Sequence, residues 1–199
     1  MKQLGVANAI ALVGTAVVAG LYGIAVLVIA VLGTINMLAA ESIRLPQPVN
    51  APIAVTPGPD ASLQLLEGTF RSADIEISGA SPVIRTLLTS SMVLDTITQL
   101  AIVAGLIALS VALLRGRPFV PSLRRVLMGV SLALVVGGLG SAGLLGFANM
   151  EVAAALDAPG FPMVAEFDFT AAIIGLVLAL VVVVFEFGER LQRDTEGLV

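Results

Sequence analysis

Arg115-Gly116-Arg117-Pro118-Phe119-Val120-Pro121-Ser122-Leu123-Arg124-Arg125 holds four arginines, two prolines and no acid. Apolar runs flank it on both sides, Ile97–Leu114 upstream and Val126–Phe147 downstream. Each run approaches the about 20 residues that a helix needs to cross a bilayer. Basic residues in short loops close to such runs mark the cytoplasmic side. Segment 115–125 is therefore expected to be a cytoplasmic loop, and the rest of the chain can be placed from it.

The composition agrees. The chain has 199 residues, 58% hydrophobic and only 12% charged, against about 25% charged in ordinary soluble domains. So little charge cannot cover a water-soluble globule, and an integral membrane protein is expected. There is no Cys and no His, and Lys2 is the only lysine. Thiolate and disulfide chemistry are excluded, and so is the usual neutral-pH acid or base. No phosphate-cradling Gly-x-x-x-x-Gly-Lys-Ser/Thr loop occurs. Thr89, Ser90 and Ser91 near Asp95 lack a base to activate a hydroxyl. The expectation is a non-enzymatic chain with no cofactor and no metal site.

Upstream, residues 3–40 carry no charge. They are too long for the apolar core of a signal peptide. No turn signal marks a midpoint for a hairpin, and a hairpin starting inside would turn the four-arginine loop outward. One spanning helix over about 11–34 is expected. Residues 41–82 contain Pro46, Pro48, Pro52, Pro57 and Pro59, which break helices. Ser42–Leu45, Ile53–Thr56 and Ser62–Phe70 with Ala73–Ser78 alternate apolar and polar residues as strands do. An acidic, strand-rich extracytoplasmic cap of two to four strands is expected. The second span, 83–114, carries Arg85 and Asp95 in its outer part, where Asp95 reads as a hydrated acid at the hydrocarbon edge.

Downstream, the third span is expected at 126–147. Gly138, Ala142 and Gly146 fall on one face of it, and small residues let helices approach closely in lipid. Packing within the chain is the first reading of this face, and a homo-oligomer contact the second. An acidic extracytoplasmic loop at 148–168 and a fourth span at 169–187 follow. In the tail, 188–199, Glu189 and Arg193 pair at i,i+4, as do Glu186 and Arg190, so the last helix should run past the bilayer. The fold expected is thus an all-α integral membrane protein, with four transmembrane helices and a small strand-rich cap between helices 1 and 2. Both termini are cytoplasmic.

Two stretches resemble the DUF2975 family of bacterial four-span membrane proteins. One is Arg115-Gly116-Arg117-Pro118-Phe119 with Leu123-Arg124-Arg125 just beyond it. The other is Phe185-x-x-Gly188-x-x-Leu191, closing on Gly197-Leu198-Val199. The order of spans, outer segment and short loops agrees along most of the chain. The resemblance implies the bacterial plasma (inner) membrane. Because members are often encoded beside a small helix-turn-helix regulator, it also implies a cytosolic regulatory partner rather than direct nucleic-acid binding. It brings no catalytic residue. A docking surface is accordingly expected at Arg115, Arg117, Pro118, Phe119, Arg124, Arg125, Glu189, Arg190 and Arg193. The alternatives are a small transporter or channel, or an assembly subunit of a membrane complex.

Overall fold

Ser81-Pro82 starts the second long helix for a local reason. The Ser81 hydroxyl accepts the Ile84 amide at 3.3 Å, and Pro82 occupies the first turn, where an amide donor is not needed. About five turns later, past Gln99, the helix becomes apolar and stays so to Leu114 apart from Ser110. The computed structural model describes residues 5–52, 68–116 and 120–196, with side chains as far as Gly188. Its elements are α1 (Val6–Ala39), β1 (Ser42–Pro52), β2 (Thr69–Ser78), α2 (Pro82–Leu114), α3 (Pro121–Leu132), a π-helical turn (Ala133–Gly137), α4 (Gly138–Leu156) and α5 (Thr170–Glu196). Four stretches are long and apolar enough to cross a membrane: Val6–Ala39, Pro82–Leu114, Pro121–Leu156 and Thr170–Gly188.

The helices overrun the expected spans. The first covers residues 6–39 rather than about 11–34. The third runs without a break from Pro121 to Leu156, so residues 148–156 of the expected acidic loop 148–168 are helical. The reason lies in the packing. Ala148 and Val152 are fully buried under the hairpin, while Glu151 points outward on the same helix. The acid marks a solvent face, not a loop. Asp157 then ends α4 in the left-handed region at φ 41°.

The cap is a two-stranded antiparallel sheet pairing Ser42 with Ser78 and Leu45 with Ile75. β1 runs straight through Pro46 and Pro48, past Leu45, where the expected strand stops. A strand with a single ladder partner has one free edge, and prolines two apart place their missing donors on the same edge. The expected strand at Ile53–Thr56 and most of Ser62–Phe70 lie outside the described residues. Ile43 and Leu45 point inward and pack with Ile84, Leu88, Ala148 and Val152. Between them and the third helix, buried Gln47 donates from Nε2 to the Asn149 carbonyl at 3.0 Å. A bulge between Pro48 and Ala51 frees the Asn50 amide, which donates to the Gly160 carbonyl at 2.8 Å. Gly160 reaches this position with φ 95°, which a side chain would resist.

Arg85 ties the end of α1 to the start of α2. Its Nη1 donates to the Met37 carbonyl at 2.5 Å and its Nη2 to the Ala40 carbonyl at 2.9 Å. These are carbonyls that a helix end leaves without an internal partner, and a cation there also meets the negative end of the helix dipole. Each charge-assisted bond is worth about 1.5–3 kcal/mol. Arg85→Met, which keeps the length and loses the donors, should therefore destabilise the detergent-solubilised protein by about 3 kcal/mol. Thermal unfolding followed by circular dichroism checks this; an unchanged midpoint would remove the clamp from the account.

Candidate functional site

The third long helix is the hub. α1 packs mainly on α2; α2 packs on α3, the π turn and α4; α5 packs on the same three segments from the other side. α2 and α5 make at most marginal contact with each other. Hydroxyls bridge the hub to both neighbours. Ser91 donates to the Ser141 carbonyl at 2.8 Å, and Ser131 to the Gly175 carbonyl at 2.7 Å. Thr98 reaches the Ala133 carbonyl, at the start of the π turn, at 3.4 Å. Glycines allow the approach. A Cβ on Gly175 would lie 2.9 Å from the Ser131 carbonyl oxygen.

The small-residue face of the third helix is used inside the chain. A Cβ on Gly138 would stand 2.7 Å from the Ala171 Cβ, and one on Gly146 2.9 Å from the Ala165 Cβ. Ala142 is half-buried between them and lines the adjoining cavity. The partner is α5 and the segment leading into it.

At the other end, Arg115 caps α2 and is exposed, and Gly116 turns the chain with φ 65°. Arg124 and Arg125 lie in the first turns of α3. Arg124 pairs with Glu186 of α5 at 3.7 Å, both half-exposed, and Arg125 is exposed. A half-exposed pair at that distance is worth at most about 1 kcal/mol, so it orients rather than holds. The holding falls to Leu123, Leu127 and Val182, buried together with Ala112, with Phe185 against them. Loop and tail thus share one apolar base. Arg117, Pro118 and Phe119 lie outside the described residues, as do the side chains of Glu189, Arg190 and Arg193. The backbone of α5 does continue to Glu196, two turns past the apolar stretch.

A second constellation escaped the sequence reading. Two cavities adjoin in the gap between α2 and α5, sharing Asp168 and Ala171 in their walls. One, of about 370 Å³, lies under the hairpin and is lined by Ser91, Asp95, Thr98, Ser141 and Asp168 among others. The next, of about 580 Å³, is walled by Ile102, Leu106, Leu134, Ile174 and Leu178. Asp95 is held from α1. The Tyr22 hydroxyl donates to Gln99 Oε1 at 2.6 Å, and Gln99 Nε2 donates to Asp95 Oδ2 at 2.5 Å. Asp168 caps α5 by accepting the Thr170 amide at 2.8 Å. The Thr170 hydroxyl and amide together hold its carboxyl below the usual carboxylate range. The spacing of Asp95 and Gln99 was a usable signal; Tyr22 and Asp168, distant in sequence, gave none.

On the hairpin, Glu76 accepts from the Ser42 hydroxyl at 2.6 Å and from Arg44 Nε at 2.9 Å. The Ser42 hydroxyl, and the hydrogen bond and charge of Arg44, keep its carboxyl below its ordinary value of 4.5.

No protein-family model, curated protein or solved structure matches the chain.

Two outcomes follow from this geometry. Gly138→Leu should push α5 away and lower the unfolding midpoint in detergent, whereas Gly20→Leu, which meets nothing within 4 Å, should leave it unchanged. Equal effects would dissociate the glycine from the contact. For Glu76, a carboxyl lowered in the folded state stabilises the hairpin above pH 4.5 and ceases to as pH falls through its lower folded value. Amide exchange across β1 and β2 should accelerate in that window, and Glu76→Gln should flatten the pH response.

Proposed function

We propose that this chain is a non-enzymatic, four-span protein of the bacterial inner membrane, which binds or regulates a cytosolic partner through its 115–125 loop and its tail. The observation that carries the membrane part is the outward face of the long helices. Leu21 is 63% exposed, Leu32 62%, Leu180 68% and Val184 66%. Aliphatic side chains exposed along whole helices would be a severe liability in water and are what lipid requires. With the four-arginine loop inside, both termini are cytoplasmic, and the hairpin and the 157–169 segment are outside.

The docking part rests on the joint between loop and tail. Leu123, Val182 and Phe185 seat the start of α3 against α5, which brings Arg124 and Arg125 beside the last apolar turns of α5 before the tail. Arg115 and Arg125 are exposed, and they favour an acidic partner. The resemblance to the DUF2975 family supports a small helix-turn-helix regulator in that role. The lack of His and Cys supports a role without covalent or acid–base chemistry.

The test is a crosslinked pull-down from native membranes with Arg115→Glu/Arg125→Glu. Recovery of a soluble partner should fall by at least about tenfold, as expected when two charge contacts are reversed. A reporter fused after Gly116 checks insertion in the same cells. Undiminished recovery from correctly inserted protein rejects the docking surface; a reporter that appears outside rejects the topology.

A further inference from the structure

We propose that the cleft between α2 and α5 seats one outer-leaflet phospholipid with a primary ammonium head, phosphatidylethanolamine in kind, with its head at Asp95 and Asp168 and an acyl chain along the lower cavity. The inference rests on the membrane placement above but not on the cytosolic docking.

The polarity of the cleft changes at the level where a lipid's does. Counting about 20 residues back from Arg115, the inner end of α2, reaches Asp95. Asp95 therefore lies at the outer headgroup level, and Asp168, at the start of α5, shares the wall of its cavity. Phe167 and Phe169, stacked with centroids 6.2 Å apart, stand beside Asp168, and aromatic rings gather at that depth. Below, the second cavity is lined by aliphatic side chains down to Leu127 and Leu178. Its volume, about 580 Å³, lies within the roughly 300–1,000 Å³ of ligand sites. A molecule that fills both cavities has a polar end and a long apolar one.

The head must be cationic and able to donate. The hydroxyls of Ser91, Thr98 and Ser141 in the upper cavity already donate to backbone carbonyls. The guanidinium of Arg44, at the rim, already serves Glu76. What remains are the carboxylate oxygens of Asp95 and Asp168, acceptors that an ammonium group satisfies and a choline head, with no N–H, does not. Gln99 and Tyr22 pre-orient the Asp95 carboxylate, the arrangement that lowers the cost of binding. A lipid so placed closes the gap that the chain leaves between its second and fourth spans.

The full chain is reconstituted into bilayers of equal phosphatidylethanolamine, phosphatidylglycerol and phosphatidylcholine, moved to mild detergent, and its retained lipid counted by native mass spectrometry. Phosphatidylethanolamine should be enriched about fivefold, the factor that one charge contact near a membrane surface is worth. Asp95→Asn should return retention to the bulk ratio, and Asp95→Glu should keep it. Ile174→Trp, which fills the lower cavity without touching the head site, should also abolish it. Enrichment of phosphatidylglycerol, no enrichment, or retention indifferent to Asp95→Asn and Ile174→Trp overturns the proposal. Loss of the cytosolic partner in the pull-down above leaves this result unaffected.

Discussion

Helices whose neighbours and solvent are both apolar gain nothing by hiding aliphatic surface from one another. On the proposed membrane placement, the rest of this architecture follows from that constraint. Close approach takes the place of hydrophobic burial, and it needs small residues and hydroxyls at the crossing points. Gly137, Gly138, Gly146 and Gly175 supply the approach, and Ser91, Thr98 and Ser131 supply bonds to carbonyls of the neighbouring helix. Such interhelical bonds average about 0.6 kcal/mol in lipid. Three of them specify how the helices meet more than they hold them together. The third helix carries most of these features, and the π turn sits where α2 and α5 press on it from opposite sides.

Outside the apolar layer the accounting changes. On the proposed placement water is present there and burial is favourable again, and the packing of the hairpin accords with it. Ile43 and Leu45 lie beneath the sheet in a small conventional core with Ile84, Leu88 and Val152. Gln47 and Asn50 add polar ties to α4 and to the 157–169 segment, and Met37 of α1 packs against the same core. The hairpin is thus continuous with three of the four long helices at their outer ends, rather than tethered by its two connections. Its outer face keeps Arg44 and Glu76 in the solvent.

Much of the fold was legible because the apolar runs are long and the charges few. Four helices, a strand pair between the first two, and a last helix that overshoots its apolar stretch all follow from hydropathy and i,i+4 spacing. Misreadings came where one residue type serves two situations. Glu151 lies in the expected acidic loop, but it stands on the exposed face of a helix that continues to Leu156. The strand expected to stop at Leu45 continues through Pro46 and Pro48, since prolines that end helices are tolerated on an edge strand. The partners of Arg85 are main-chain carbonyls, which every residue carries, so no pattern could point to Met37 and Ala40. The face of Gly138 and Gly146 was visible; that Ala171 and Ala165 fill it was not, since small residues signal approach without naming a partner. The cleft belongs to the same class, being a gap between elements rather than a motif.

The Arg85 clamp also sets an order of events. The carbonyls of Met37 and Ala40 leave the ribosome 48 and 45 residues before the side chain that satisfies them. At about 5–20 residues per second, that delay is about 2–10 s. During it the Met37 and Ala40 carbonyls lack this partner, and water or another chain must meet them. On the proposed topology, the hairpin has to cross the membrane before the clamp can close. Folding of the hairpin and pairing of α1 with α2 are then coupled through a single guanidinium.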